Sequence, residues 1–452
     1  MALIATDNAR LVVGLGQTGL SIARYFARCG LPFAMADNRL SPPGASSFEK
    51  AFPEVQVHLG PFDSDLFSSV SELVLSPGIP LSEPAIVAAR EAGVTISGDI
   101  HYFSKDATAP IVAITGSNGK STVTTLVGEM AKDASVAVAV GGNLGTPALD
   151  LLDPGVALYV MELSSFQLER CDHLGAEVAT VLNVSEDHLD HHGSMVAYHQ
   201  AKHRIFRGCH KVVVNRDEPL SSPLVPDEVE RWEYRLGRSD FRCFGLLEQD
   251  GQEYIALAGK PLLATNQLLI AGRHNLSNAL AALALGSAAG LPLEAMLATL
   301  TRFRGLAHRC EFVADIAGVG YYNDSKGTNV GASEAAIQGL AGEGKVVLIA
   351  GGLGKGASFS ALGATLAKYG RGAVLIGEAA DDIDRAIAGR VTTAHAATMA
   401  EAVRMAAKIS APGDRVLLSP ACASFDMFDG YEHRGRMFVE AVTQLSEEGG
   451  DE

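Results

Sequence analysis

Cysteine is scarce in this chain, and the cysteines that occur lie far apart. There are six in 452 residues, the first at Cys29 and the last at Cys422, and none of them forms a Cys-x-x-Cys pair. Such spacing is typical of reduced thiols in a cytoplasmic protein.

The chain also lacks a long uninterrupted apolar run, and no basic segment leads into an apolar stretch near its first residues. The apolar segment Ala279 to Leu291 is interrupted by Gly286, Ser287 and Gly290. This segment therefore predicts a buried helix rather than a membrane span. We expect a cytoplasmic protein that is neither secreted nor associated with a membrane.

Positive charge is in short supply as well. Lysine and arginine number 36 against 52 aspartates and glutamates, which gives a formal net charge of −16. A nucleic-acid partner is disfavoured, because phosphate neutralisation needs a basic face. The length exceeds what one hydrophobic core usually supports, and short apolar runs alternate with helical patterns, so we expect an α/β protein of two or three domains.

The most informative motif is TGSNGKST at 115–122, which follows an apolar run and opens a helical pattern. A glycine-rich turn exposes backbone N–H groups, Lys120 can reach the outer phosphates of a nucleotide, and the Ser121 hydroxyl can ligate Mg²⁺. The general phosphate-loop pattern has a further glycine where this chain has Ile114. A variant triphosphate site and a purely structural turn are therefore both compatible with the motif.

A second glycine motif, GLGQTG at 14–19, follows the first predicted strand, and Asp37 ends the next. This spacing fits the dinucleotide fingerprint and by itself suggests an NAD-dependent enzyme. Other nucleotides and a tight strand-to-helix turn stay open. Alternating strands and helices predict three units, which we place at residues 1–98, 99–305 and 306–452.

Polar side chains follow several predicted strands, where open α/β sheets place their ligands. Glu162 is a candidate Mg²⁺ ligand or a cap of the next helix. The segment at 183–192 is rich in oxygen and imidazole groups, but without metallohydrolase spacing it predicts a polar loop capped by Ser185 or Asp187. Lys202, on a predicted helix, is on composition alone a solvated lysine. Lys326 and Lys355 each follow a strand, which favours an anion site.

Together these residues resemble the Mur ligase family along nearly the whole chain. Each matching segment alone is weak evidence for the family, but the order and spacing of all the segments together are specific to it. The matching segments are GLGQTG at 14–19, TGSNGKS at 115–121, GGNLG at 141–145, ELSSFQLE at 162–169, NVSEDH at 183–188, GRHN at 272–275, His308-Arg309, DSKGTN at 324–329 and LSPACAS at 418–424.

The resemblance implies an N-terminal Rossmann-like domain that binds a UDP substrate, a central P-loop ATPase domain with a mostly parallel sheet, and a Rossmann-like C-terminal domain that binds the amino acid. It implies an ATP-dependent ligase that adds D-glutamate to UDP-N-acetylmuramoyl-L-alanine through an acyl phosphate, as a step in making peptidoglycan precursors. The cofactors implied are ATP, two Mg²⁺ ions and a CO₂-derived carbamate on Lys202. We expect a monomer.

The resemblance also implies site residues in three groups. The UDP end would be held by Gln17, Thr18, Asp37, Asn38, Arg39, Gly78 and Asn143. ATP would be held by Thr115, Gly116, Ser117, Asn118, Gly119, Lys120, Ser121, Thr122, Asn278, Arg309 and Asp324. The incoming amino acid would be held by Lys326, Thr328, Lys355, Ser424, Phe425 and Tyr431.

Metal ligation would come from Ser121, Glu162, His188 and Lys202, and catalysis from Lys120, His188 and Lys202. A carbamate would give Lys202 the oxygen ligands that an ammonium lacks. Leu353, Gly327 and Tyr431 replace residues usual in the family. Two kinds of alternative stay open: another ligase of the same fold, which the ELSSFQL segment disfavours, and an NAD-dependent dehydrogenase. A regulatory nucleotide-binding protein would not need Glu162 and His188.

Overall fold

The computed structural model describes residues 10–270, 272–341, 344–354 and 356–448. These residues form three β-sheets with flanking helices, one sheet after another along the chain. The prediction of a three-domain α/β protein is confirmed.

The first sheet is entirely parallel, with the strand order β3-β2-β1-β4-β5. Its strands are β1 (Arg10–Val13), β2 (Phe33–Asp37), β3 (Val57–Leu59), β4 (Glu72–Leu75) and β5 (Thr95–Ser97). The helices that accompany and follow it are α1 (Gln17–Arg28), α2 (Ala45–Ala51), α3 (Ser64–Ser68), α4 (Pro84–Glu91) and α5 (Asp99–Asp106). This order matches the first five strands of the six-stranded doubly wound nucleotide-binding fold, so the prediction of a small Rossmann-like unit is confirmed.

The second sheet has nine strands in the order β14-β13-β12-β11-β10-β9-β6-β8-β7. The strands are β6 (Ile111–Thr115), β7 (Val138–Gly142), β8 (Leu158–Glu162), β9 (Val178–Val181), β10 (Lys211–Asn215), β11 (Glu230–Arg238), β12 (Cys243–Gln249), β13 (Gln252–Leu257) and β14 (Lys260–Ala264). The helices are α6 (Lys120–Asp133), α7 (Ser165–Leu168), α8 (Leu189–His192), α9 (Met195–His203), α10 (Arg273–Ala288) and α11 (Leu293–Arg302).

The third sheet has the order β15-β16-β20-β17-β18-β19, parallel except for the β15–β16 pair. Its strands are β15 (Glu311–Ile316), β16 (Val319–Asn323), β17 (Val346–Gly351), β18 (Gly370–Ile376), β19 (Thr392–His395) and β20 (Arg415–Leu418). The helices are α12 (Val330–Leu340), α13 (Ser360–Tyr369), α14 (Ala380–Ile387), α15 (Met399–Ile409) and α16 (Tyr431–Glu448).

Strand β6 shows how the central sheet is held in place. Ile111 and Ala113 face one hydrophobic cluster, whereas Val112 and Ile114 face another, which contains much of α10. A strand buried on both faces is apolar along its length, as residues 111–114 are. The last residue of the strand, Thr115, is buried with its hydroxyl donating to the carbonyl of Leu163 at 2.7 Å. The motif segment at 115–122, which we call the phosphate loop after its sequence pattern, therefore follows a strand with little freedom to move.

The buried helix predicted over Ala279 to Leu291 is confirmed as α10, which begins earlier, at Arg273, and ends at Ala288. One prediction about local structure is wrong. At 183–192, neither Ser185 nor Asp187 caps a helix: the residue before α8 is His188, in the left-handed conformation with φ 54° and no side-chain cap. Among the described residues, no helix has the length and apolar composition that crossing a membrane would require.

Candidate active site

The phosphate loop joins the buried end of β6 to the first turn of α6. Gly119, just before the helix, has φ +81°, a conformation that L side chains rarely adopt. A Cβ atom there would lie 2.5 Å from Oδ1 of Asn278. Glycine is thus required at this position for two reasons, the positive φ and the close approach of Asn278. Through Asn278, helix α10 packs against the loop.

Two lysines converge on the loop. Nζ of Lys120 donates to the carbonyl oxygens of Gly116 and Ser117, each at 2.9 Å. Nζ of Lys202, from α9, donates to the same Gly116 oxygen at 2.9 Å and lies 4.4 Å from the centre of the Tyr198 ring. Lys202 is only 2% exposed, so the expectation of a solvated lysine from composition alone is wrong.

The electrostatics of these two lysines favour an added negative group. Burial lowers the pKa of Lys120, although the nearby Glu162 carboxylate opposes the shift. Burial and then the charge of Lys120 lower the pKa of Lys202 well below its usual value. Phosphate oxygens, or a negative group on Lys202 itself, would relieve this repulsion.

Glu162 ends β8, the strand next to β6, and the two oxygens of its carboxylate have different surroundings. Oε1 accepts a hydrogen bond of 2.7 Å from Nδ2 of Asn143. Oε2 is buried and has no hydrogen-bond partner among the described residues. The following helix is capped by Ser164 and Gln167, so the capping alternative for Glu162 is wrong. A buried, unpartnered carboxylate oxygen fits a divalent cation.

The segment after β9 packs against the phosphate loop from the other side. Asn183 accepts from the backbone N–H of Asn118 at 2.8 Å and donates to its carbonyl at 3.1 Å. Asp187 accepts from Nδ2 of Asn329 at 3.1 Å, and that amide also reaches Oδ1 of Asn118 at 3.3 Å. His188 lies beside Asp187, with Nε2 3.6 Å from its Oδ2. Asn183 and Asn329 were not singled out from the sequence, although both lie within matching motif segments.

Arg309 connects the C-terminal sheet to the phosphate loop. Its Nη2 donates to Oγ of Ser121 at 2.7 Å, across 188 positions of sequence. Asp324 is buried and accepts from Oγ of Ser419 at 2.7 Å and from the backbone N–H of Cys310 at 3.2 Å. Burial raises the pKa of Asp324 to about 7, although the Ser419 hydroxyl and the Arg309 charge oppose it.

Lys326 lies directly after Asp324 and Ser325, and its Nζ is 3.6 Å from the centre of the Tyr431 ring. Burial lowers the pKa of Lys326 to about 8, and the charge of Arg309 adds to the effect. A largely desolvated ammonium over an aromatic face is suited to binding a carboxylate.

The other residues predicted to hold the amino acid are Thr328, Ser424, Phe425 and Lys355. The backbone N–H of Thr328 donates to the carbonyl of Lys326 at 2.9 Å. Ser424 is buried, whereas Phe425 is 71% exposed and is not packed into the site. Lys355 lies outside the described residues.

A separate cavity of about 480 Å³ lies between the first and second sheets. Of the seven residues predicted for the UDP end, six line it: Gln17, Thr18, Asn38, Arg39, Gly78 and Asn143. Asn143 therefore borders this cavity and also contacts Glu162.

The seventh residue, Asp37, is buried beneath the cavity lining. It accepts from the backbone N–H of Leu15 at 2.7 Å, and from the backbone and guanidinium of Arg39 at 2.6 to 2.9 Å. Both carboxylate oxygens are thus used within the protein. A dinucleotide site needs this acid for ribose hydroxyls, so the arrangement does not favour NAD.

Arg434 is a structural residue of this region that sequence reasoning missed. It is fully buried on α16, and its guanidinium donates to Oγ and the carbonyl of Ser325 at 3.0 and 2.8 Å and to the carbonyl of Cys422 at 3.2 Å. These bonds join α16 to the segments that carry Lys326 and Ser424. An arginine within an ordinary helical pattern gives no sequence signal of burial.

We expect Arg434→Met to destabilise the protein by about 3 kcal/mol, because it removes three hydrogen bonds that a charged group makes inside a buried site. Urea unfolding would measure the change. Arg436→Met on the same helix is the matched control, because Arg436 is exposed. Equal stability of the two variants would contradict the role assigned to Arg434.

Comparison with known protein families gives three matches in chain order. Residues 8–98 match the Mur ligase MurD-like N-terminal domain, residues 114–286 match the Mur ligase middle domain, and residues 308–422 match the Mur ligase glutamate ligase domain. Together they cover most of the chain.

Curated relatives match over their full length. A UDP-N-acetylmuramoylalanine–D-glutamate ligase of Pseudomonas aeruginosa is 56% identical over 448 residues, covering 99% of this chain and 100% of the relative. An enzyme of the same name from Marinobacter nauticus is 53% identical and covers 98% of this chain and 100% of the relative.

Solved structures share the fold at lower identity. UDP-N-acetylmuramate–alanine ligase MurC of Thermotoga maritima aligns with a TM-score of 0.61 at 19% identity, over 97% of this chain and 99% of that one. A pseudomurein peptide ligase of Methanothermus fervidus aligns with the same TM-score at 16% identity, over 97% and 100%.

Proposed function

This chain belongs to the Mur ligase family, and from that premise we propose how its central cleft uses ATP to join D-glutamate to UDP-N-acetylmuramoyl-L-alanine. It is an ADP-forming ligase of peptidoglycan precursor synthesis, EC 6.3.2.9. The alternative of an NAD-dependent dehydrogenase is wrong. The observation that carries the proposed mechanism is the convergence of Lys120 and Lys202 on the Gly116 carbonyl.

The reaction must activate a carboxylate, which is a poor electrophile at neutral pH. In the first step a carboxylate oxygen of the UDP substrate attacks the γ-phosphorus of ATP, and the bond to ADP breaks to give an acyl phosphate. The amine of glutamate then attacks the acyl carbon, phosphate leaves, and the amine gives up a proton. Lys120 stabilises the charge on the transferring phosphoryl group, while the loop N–H groups hold the phosphates in line.

Mg²⁺ is used generally by Mur ligases, and the residues present fit it. When bound, the ion offsets negative charge on the phosphates. We propose that Ser121 and Glu162 hold one ion and that His188 and Lys202, as a carbamate, hold a second. The buried position of Lys202 supports the carbamate, because an amine that loses its proton easily can react with CO₂.

ATP is proposed to lie across the central loop towards the C-terminal sheet. Asn278, Arg309 and Asp324 would contact its nucleoside end. The Arg309 bond to Ser121 and the Asn329 bond to Asp187 support this, because they bring the two sheets together at the loop. The phosphates would lie on the loop segment at 115–122.

The glutamate is proposed to bind on the C-terminal side of the cleft. Lys326 beside the Tyr431 ring would receive a carboxylate, with Thr328 next to it. We also assign Lys355, Ser424 and Phe425 to this end from the family resemblance. The UDP end of the other substrate would occupy the cavity next to Asn143, which links it to Glu162.

We further propose that the three domains have the bounds 1–98, 99–305 and 306–452. Each domain would bind one of the three reactants. The chain would act as a monomer in the cytoplasm, where its nucleotide substrates are made.

The decisive assay measures ADP release with ATP, Mg²⁺, UDP-N-acetylmuramoyl-L-alanine and either D- or L-glutamate. We expect release with D-glutamate and little with its enantiomer. A reaction without amino acid is the control for futile hydrolysis. Release with neither enantiomer would overturn the proposal, and equal release with both would overturn the stereochemical part.

A further inference from the structure

A second group of metal-ligating side chains lies beside the reaction centre and has no role in the proposed mechanism. It consists of Glu169, His191 and His192, which we call the Glu169 cluster. Glu169 directly follows α7, and the two histidines end α8. One ligand atom of each lies within 4.8 Å of the other two.

The contacts within the cluster leave one nitrogen poorly satisfied. Nε2 of His191 lies 3.1 Å from Oε2 of Glu169 in hydrogen-bond geometry. Nδ1 of His192 lies 2.8 Å from Oε1 of Glu169. That nitrogen is nevertheless buried and out of line for a hydrogen bond with any described residue. The two atoms are therefore close enough for a hydrogen bond, but they lack the angles that a hydrogen bond requires.

The surroundings prepare the three groups to act as ligands. The His192 side chain is 0% exposed, and its Nε2 lies 3.0 Å from Oγ of Ser165. A proton on Nε2 donated to that hydroxyl would leave the Nδ1 lone pair for a metal, as outer hydrogen bonds do in histidine metal sites.

We propose that the Glu169 cluster binds a divalent transition metal of the Zn²⁺ class through two imidazole nitrogens and one carboxylate. Two imidazoles with one carboxylate suit Zn²⁺, whereas Mg²⁺ prefers oxygen ligands. Bonds of about 2.0 to 2.2 Å in a tetrahedral arrangement place ligand atoms roughly 3 to 4 Å apart, which small rotations of these side chains can provide. The fourth position would hold water.

The role that follows from its place in the fold is structural. The Phe166 ring lies between the cluster and the proposed magnesium ligand: its centre is 4.9 Å from that of the His188 ring and 4.5 Å from that of His191, and it stacks on His192 at 5.5 Å and 18°. A metal would join α7 to α8 and so fix the segment in which His188 holds its left-handed conformation. It would therefore raise thermal stability.

The test measures metal binding by the full chain after removal of metals with a chelator, in excess Mg²⁺ so that the magnesium sites are filled. Calorimetry with Zn²⁺ gives the stoichiometry, and Co²⁺ gives a visible spectrum whose intensity distinguishes four-coordinate from six-coordinate metal. We expect one equivalent of Zn²⁺, an intense Co²⁺ spectrum and a higher melting temperature with Zn²⁺.

The variants are Glu169→Gln and His191→Gln, with His199→Gln as the matched control. His199 stacks on His203 on α9, with ring centres 3.9 Å apart, and bonds to the carbonyl of Leu220. We expect each cluster variant to lose at least about tenfold in Zn²⁺ affinity and to lose the intense Co²⁺ spectrum, while the control keeps both.

Two results would overturn the proposal. These are an absence of bound Zn²⁺ in the wild type, or Zn²⁺ affinity and Co²⁺ spectra unchanged in both cluster variants. In either case the cluster is only an ion pair that packs α7 on α8. Circular dichroism establishes that each variant is folded. Because the readout is metal binding and stability, it stands apart from the ligase assay.

Discussion

Replacing Lys120 with alanine is expected to lower ADP release by at least about 10³-fold, in line with the loss of a preorganised charge that acts on a transferring group. Lys120 is partly buried at the start of α6 and donates to two carbonyl oxygens of the phosphate loop. Its ammonium is therefore held where the phosphates of ATP would lie. Steady-state ADP release with both substrates present measures the effect.

Binding of the UDP substrate should survive this change, because its proposed cavity has no lining residue from α6. Calorimetry with UDP-N-acetylmuramoyl-L-alanine in the absence of ATP tests that point. Lys132→Ala is the matched control: Lys132 lies on the same helix but is solvent-exposed and pairs with Glu129, one turn away. Near-normal turnover of Lys120→Ala would contradict the proposal that the phosphate loop binds the phosphates of ATP.

The sequence predicted the parts of this site that depend on local pattern. Apolar runs predicted β6 and β8, and the ends of parallel strands meet at one edge of a sheet, so Lys120 and Glu162 could be expected to lie near each other. The family resemblance extended this to His188 and Lys202. The structure adds that Glu162 keeps one carboxylate oxygen free of any described partner.

What local pattern could not predict depends on tertiary packing. Strands β12 to β14 extend the central sheet with antiparallel pairing, which no periodicity of one segment reveals. Helix α9 mixes polar and apolar residues without a strong apolar face, so nothing in it predicts that Lys202 is buried. Ser185 and Asp187 were expected to cap a helix from their residue types, but the left-handed backbone at His188 starts α8 beyond their reach.

Lys202→Ala is expected to lower turnover by about 10²-fold to 10³-fold, and added formate or acetate should restore part of it. The alanine leaves a space beside the Gly116 carbonyl that a short carboxylate can fill, providing the oxygens that the proposed carbamate would supply. Lys202→Met distinguishes the loss of side-chain volume from the loss of the carbamate oxygens. The methionine side chain fills most of that space, so added carboxylate should not restore the turnover of this variant. Turnover measured against carboxylate concentration provides the test.

Gln200→Ala, an exposed position on the same helix, controls for changes in α9 itself. Melting temperatures of all three variants establish that a loss of turnover is not a loss of fold. Carbon-13 NMR of wild-type protein equilibrated with labelled CO₂ supplies a direct readout, since a carbamate carbon on Lys202 would be absent from Lys202→Met. Full activity of Lys202→Ala without any added carboxylate would mean that Lys202 only packs against Tyr198 and supports the loop. In that case His188 would need another partner to hold a second ion.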